Sequence, residues 1–181
     1  VRDPRAGNAR IYSSNPALCL ADFIESKVTG LGAPVNDASL IEAANYCDEI
    51  MPDGKPRRTI NLAITGQAST EDHLEALRAY AGCWIVWDGA EVLLVPNRVA
   101  TPVGHLSEDS MAEDTIAIDQ LPSSDLPTVI NVRWTDSTDW PHNDQTETVY
   151  HPDVLSGKIE YRASTVNLEG ITSRGEASRV G

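Results

Sequence analysis

The sequence is short of positive charge. It has 14 lysines and arginines against 27 aspartates and glutamates, a net charge of −13 over 181 residues. The imbalance is concentrated: eleven acids and one base, Arg133, lie between Val103 and Asp153, so this stretch alone carries −10. Binding of nucleic acid needs clustered lysine and arginine against phosphate, and here the field is repulsive. Long apolar runs are also missing. None approaches the roughly 20 residues of a membrane helix. The opening VRDPRAGNAR lacks the apolar centre of a signal peptide. A start at Val1 and an abrupt stop after Ser178-Arg179-Val180-Gly181 lead us to expect a piece of a longer protein.

Cysteine is scarce and unpaired. Cys19, Cys47 and Cys83 are far apart and form no CxxC, which speaks against a zinc site or a disulfide framework. Each falls in an apolar pattern, where a free thiol packs as a small hydrophobe, as in a protein folded in a cytoplasm. The four histidines include no HExxH and no i, i+4 pair. There is no phosphate loop and no GxSxG elbow, so no cofactor is expected.

What is present is helical periodicity first and alternation later. Asn15-Pro16 opens a helix with an N-cap and a proline at the first helical position. Leu18, Ala21, Ile24 and Val28 form its apolar face, and Gly30-Leu31-Gly32 should end it. A second helix is predicted from Ser39 to Ile50, with Ser39 and Glu42 as a capping box and Leu40, Ala44, Cys47 and Ile50 as its buried stripe. From Arg58 the period changes. Ile60, Leu62 and Ile64 alternate with polar residues, which predicts a half-buried strand. Ser69 or Thr70 caps a third helix, with Glu71 and Asp72 at its positive end and Leu74, Leu77 and Ala81 on its apolar face. Gly82 closes it. CWIVWDGAEVLLV, around Asp88-Gly89, is a hairpin. The strands of residues 15–96 are expected to share one sheet with helices packed on it. After Pro102, short strands are expected at 115–119, 128–135, 145–151 and 158–166, with a helix starting near Ile171. The fold class is α+β.

The stretch ANYCDEI, residues 44–50, puts a cysteine beside two carboxylates. Successive residues on a helix point about 100° apart, so Cys47, Asp48 and Glu49 cannot converge on one ion. Cys47 is expected to be packing. The pairs around His142 and His151 lack a third metal ligand. Glu108-Asp109, Glu113-Asp114, Asp136 and Asp139 could supply the two carboxylates of a glycosidase, but so many acids yield pairs by chance. Trp84 and Trp87 lie three apart in a strand, which places one ring in the core and one partly exposed. Trp87, Trp134 and Trp140, with Asp136 and Asp139 of the TDSTD loop, are the candidate interface residues, since aromatics are enriched at interfaces.

Several strings occur in a recognisable order. They are VRDPR at 1–5, YSSNPALCLADFI at 12–24, GLG at 30–32 and DASLIEAANYCDE at 37–49. RRTINLAITGQASTEDHLEALRAYAGCWIVWDGAEVLLVP follows at 57–96, TPVGHLSEDSM at 101–111 and TVINVRWTDSTDWPHND at 128–144. Together they resemble the central tail hub family of long-tailed phages, which includes the tip attachment and host specificity proteins of lambda-like phages. After Glu147 the resemblance is looser. It implies a homotrimeric hub that closes the tail tube at its tip, akin to a baseplate hub. Such a hub contacts distal tail and tape-measure proteins and reaches the host receptor through regions absent from this chain. It implies a virion protein folded in the bacterial cytoplasm, with no catalytic residues to carry over, no cofactor, no direct nucleic-acid binding and no membrane insertion. It further implies that residues 1–14 and 101–181 belong to a β-rich hub domain and that 15–100 form an α/β insertion. The acidic segment would keep a channel wall from holding the passing DNA. Two other readings are a carbohydrate-active or peptidoglycan-cleaving module using acids near Trp134 and Trp140, and a glycan-binding module.

Overall fold

The computed structural model describes residues 1–102, 104, 122, 125–138 and 142–180. The expected strand at 115–119, the carboxylates at 108, 109, 113 and 114, and the candidate interface residues Asp139 and Trp140 lie outside the described residues.

The chain opens with a small ladder, β1 (Arg2–Asp3) against β2 (Ala9–Arg10), around a 3-10 turn at Pro4–Ala6. Two helices follow, α1 (Pro16–Glu25) and α2 (Asp37–Asp48). Asn15 starts the first as its sequence predicts. Its Oδ1 accepts from the N–H groups of Ala17 at 3.0 Å and Leu18 at 3.3 Å, and its Nδ2 donates to the Ala44 carbonyl at 2.9 Å. One side chain thus caps α1 and ties it to α2. Leu18, Leu20 and Ile24 are fully buried, each contributing about 2 kcal/mol.

Both helices depart from the expected ends. α1 stops at Glu25, because Ser26 turns extended while its N–H is shared between the carbonyls of Asp22 and Phe23. Its hydroxyl then receives the N–H groups of Val28 and Thr29. Val28, expected on the apolar face, is exposed. Gly30 instead serves close packing: a Cβ there would collide with the carbonyl of Phe23. α2 starts two residues before Ser39, because Asn36 is the cap and accepts the Ser39 N–H at 3.1 Å. Ser39 gives its hydroxyl to the Asn36 carbonyl at 3.0 Å and accepts the Leu94 N–H at 3.2 Å, so it does not form the expected box with Glu42. Leu40, Ala44 and Cys47 are buried as predicted, whereas Ile50 lies beyond the helix and is exposed.

The alternating stretch after Arg58 is not a strand. Its N–H groups are taken one by one: Arg58 by the Cys47 carbonyl at 3.0 Å, Ile60 by Ser14 at 2.8 Å, Asn61 by Gly170 at 2.9 Å. Ile60 is buried, while Leu62 and Ile64 are exposed. The alternation is real, but no described strand lies alongside it, so the single sheet expected for residues 15–96 does not form. The described strands fall instead into three separate small sheets.

α3 (Thr70–Ala81) matches its sequence closely. Ser69 and Asp72 close a capping box, and Gly82 ends the helix at φ +60°. The hairpin β3 (Cys83–Asp88) and β4 (Glu91–Pro96) pairs Asp88 with Glu91 across a Gly89-Ala90 turn. Trp84 and Trp87 are both exposed, 53% and 58%, so neither ring is the core residue expected. Trp84 lies on the outer face with the Arg78 guanidinium 5.2 Å above its ring. Trp87 shares the inner face with Cys83 but stands one pair from the turn.

In the second half, β5 (Val129–Asp136) is central, antiparallel to β6 (Asn143–Tyr150) and parallel to β7 (Ala163–Asn167). A short helix, α4 (Pro152–Leu155), precedes β7, and α5 (Arg174–Val180) packs against β5 and β6. Strands occur at each expected place that falls among the described residues, though the last, β7, begins at Ala163 and not at 158. One cluster of buried side chains runs from Ala17 through α2, α3 and the hairpin to Trp134 and Ala177, and the fold is α+β.

Candidate functional site

The residues of ANYCDEI are distributed among separate tasks. Cys47 is fully buried, its Sγ 3.6 Å from the Ala81 carbonyl, which also lies 3.4 Å from the Cys83 Sγ. Burial raises the Cys47 thiol far above its ordinary range and pushes Cys83 up to about 11, so neither is a ready nucleophile. Asp48 accepts from Arg5 at 2.9 Å, and Asn45 from the same guanidinium at 3.1 Å. Glu49 accepts from Arg57 at 2.6 and 3.1 Å, and that guanidinium lies 4.8 Å over the Tyr46 ring. The stretch is a fastening surface on α2.

The VRDPR segment is what it fastens. Arg2 reaches Glu25 at 2.6 Å and also Asp37, joining β1 to α1 and α2. Arg5 grips Asp3 with Nε and Nη2 at 3.0 and 2.9 Å while reaching Asp48. Neither arginine stands out in the sequence, because the partners on α1 and α2 lie 23 to 43 residues away.

Trp134 and Asp136 border a polar cleft of about 480 Å³, lined also by Lys55, Glu147, Ser173 and Arg174. The Trp134 ring is only 7% exposed, and among the described residues neither its Nε1 nor the Ser173 Oγ has a hydrogen-bond partner. Asp136 accepts from the Thr138 hydroxyl at 2.6 Å and its N–H at 3.0 Å, which hold its carboxyl below the usual range. Glu147 is bound by Arg174 at 2.8 Å. A glycosidase acid needs a raised pKa beside a cleft. Among the described carboxyls burial raises Glu176, which is enclosed under Thr59, whose N–H and hydroxyl both reach it at 2.6 Å.

His151 caps α4 through Nδ1, 3.2 Å from the Asp153 N–H, and His73 meets Phe23 edge-on at 6.2 Å. Among the described residues no group of three His, Cys, Asp or Glu side chains is placed to hold a metal ion. Nor, among them, is any helix long and apolar enough to cross a membrane. Of the described candidate interface residues, Trp87 stands most open to solvent.

The chain is similar to known proteins along most of its length. It is 24% identical to the tip attachment protein J of Escherichia phage SECphi27, over 95% of this chain and 15% of that protein. The chain thus spans about a seventh of the length of that curated relative. A family model described as "Putative phage tail protein" matches residues 69–181, more than half of the sequence. This match covers α3, the hairpin, the three-stranded sheet and α5. The chain belongs to this phage tail protein family.

Proposed function

We propose that the chain is a structural part of a phage tail tip, in a hub-like protein that closes the tail tube and supports attachment to the host. The observation that carries this reading is the likeness to a tip attachment protein over 95% of the chain. The side-chain economy supports it. Of the polar residues a chemist would inspect first, Asp48, Glu49 and Glu147 are engaged in fastening one segment to another, and Asp136 is held locally by Thr138. Within this proposal the chain is not an enzyme. The intact protein is a homotrimer in the virion, assembled with distal tail and tape-measure proteins after folding in the host cytoplasm. Residues 1–14 and 101–181 belong to its hub domain, with 15–100 as an insertion.

In-frame deletion of the coding segment from the phage or prophage genome tests this. The expected result is particles without functional tails, restored by the gene supplied in trans. Normal tails and normal plating after deletion would overturn it. A purified chain that cleaves peptidoglycan or another glycan, with turnover lost in Asp136→Asn, would replace it with the enzymatic reading.

A further inference from the structure

The register of β5 against β6 builds one polar face. Trp134 stands opposite Gln145, Val132 opposite Glu147 and Asp136 opposite Asn143. Side chains alternate along a strand, so Trp134, Asp136, Gln145 and Glu147 share a side of the sheet. α5 packs on the same two strands. Ser173 just before it, Arg174 as its first residue and Lys55 from the turn after α2 complete the cleft of about 480 Å³. Sites for small molecules are typically about 300–1,000 Å³.

Some of the bonding capacity here is already taken. Glu147 accepts from Arg174 with both oxygens, and the Asp136 Oδ1 accepts twice from Thr138. Among the described residues, what stays open is the Lys55 ammonium, the Asp136 Oδ2 and the Gln145 amide, with the Trp134 Nε1 and the Ser173 Oγ just under the surface. Trp134 and Ser173 are 7% and 8% exposed, and a polar atom buried without a partner is costly. Their neighbours in the cleft wall, Lys55 and Arg174, are exposed side chains that yield to an entering group. The charges of the cleft balance, Lys55 and Arg174 against Asp136 and Glu147. An anion meets one open cation beside a carboxylate, in a chain of net charge −13. A metal ion finds no group of three ligands among the described residues. A hydroxyl both gives and accepts hydrogen bonds, so it suits the open donors and the open acceptors together.

We propose that this cleft binds a neutral pyranose sugar, with Lys55, Asp136 and Gln145 meeting its hydroxyls at the rim and the Trp134 N–H and Ser173 hydroxyl meeting them at the floor. The role is binding alone. Cleavage needs a carboxyl with a raised pKa, and the Asp136 carboxyl lies below the usual range. The site does not rest on the tail-tip reading, which stands or falls on the assembly of tails.

Proton–nitrogen magnetic resonance of the isotope-labelled chain, titrated with the methyl glycosides of glucose, galactose and mannose, tests the proposal. The chain has four tryptophans, and Trp134→Phe identifies the Trp134 indole signal by its loss. With at least one glycoside that signal should move along a saturating curve with a Kd of about 1 mM, the strength expected of a single sugar ring. The Trp87 indole signal should stay in place. Lys55→Ala and Asp136→Asn should each weaken binding about tenfold, since each removes a hydrogen bond to a charged group. Unmoved amide signals elsewhere in these variants show that the fold is kept. No movement of the Trp134 signal with any of the three glycosides overturns the proposal. So does binding that neither variant weakens, or a signal that inorganic phosphate moves and the glycosides do not.

Discussion

The guanidinium of Arg5 meets the carboxylate of Asp48 at 2.9 Å across 43 residues of sequence, while its other edge holds Asp3. One side chain therefore joins the first residues of the chain to the last residue of α2. Asp3 is 5% exposed, and the Arg5 guanidinium holds its carboxyl below the usual range.

Removing Arg5 leaves Asp3 buried without a cation. Arg5→Ala is expected to cost about 3 kcal/mol of stability, since breaking a buried pair strands its partner. Asp48→Ala, at the exposed end, should cost under about 1 kcal/mol. Urea unfolding of the two variants measures both. The Asp3 contribution is present above the ordinary carboxyl value of 3.8 and is lost as pH falls through the lowered folded value. Arg5→Ala should accordingly flatten the loss of stability in acid.

Glu176 has the opposite sign. Burial raises its carboxyl above the ordinary 4.5, so its contribution is full below that value and declines as pH rises through the folded one. Glu176→Gln keeps an acceptor for the Thr59 N–H and removes the titration, so its stability relative to the parent should rise from pH 4 towards neutrality. Glu176→Ala, which leaves that N–H unpaired, should cost about 2 kcal/mol. Denaturant midpoints at several pH values check both expectations.

The cysteines should separate by burial. Burial raises all three thiols, but Cys19 is only half-buried, whereas Cys47 and Cys83 are buried. Alkylation in native buffer followed by peptide mass spectrometry is expected to label Cys19 first. Cys47 and Cys83 should label only at the rate of unfolding.

Trp134 carries a buried N–H with no acceptor among the described residues. Trp134→Phe removes that unmet donor while keeping most of the ring, and is expected to change stability by less than about 1 kcal/mol. Trp134→Ala should cost about 4 kcal/mol through the cavity it leaves. Thermal and urea unfolding distinguish these outcomes.

Local signals in the sequence were legible where both partners lay close together. Ser69 and Asp72 specify the start of α3 within four residues, Gly82 its end, and Gly89 the hairpin turn, which lies at Gly89-Ala90, one residue beyond the expected Asp88-Gly89. The misreadings have long-range causes. Ser39 looked like a cap, but Asn36 took that role and Ser39 turned to Leu94 of β4. Ile60, Leu62 and Ile64 alternate as a strand does, yet the main chain there is held by Ser14 and Gly170, far away in sequence. At the candidate site, Cys47 read correctly as packing because helix geometry alone separates it from Asp48 and Glu49. The arginines that bind those acids could not be read, since nothing in VRDPR announces which helix it will meet.

The central claim, a structural place at the tail tip, is tested most directly by immunogold electron microscopy of purified phage particles with antibodies against this chain. The account predicts gold at the distal end of the tail, with tails lost when the segment is deleted. Labelling confined to the capsid, or no antigen in particles with intact tails, would contradict it.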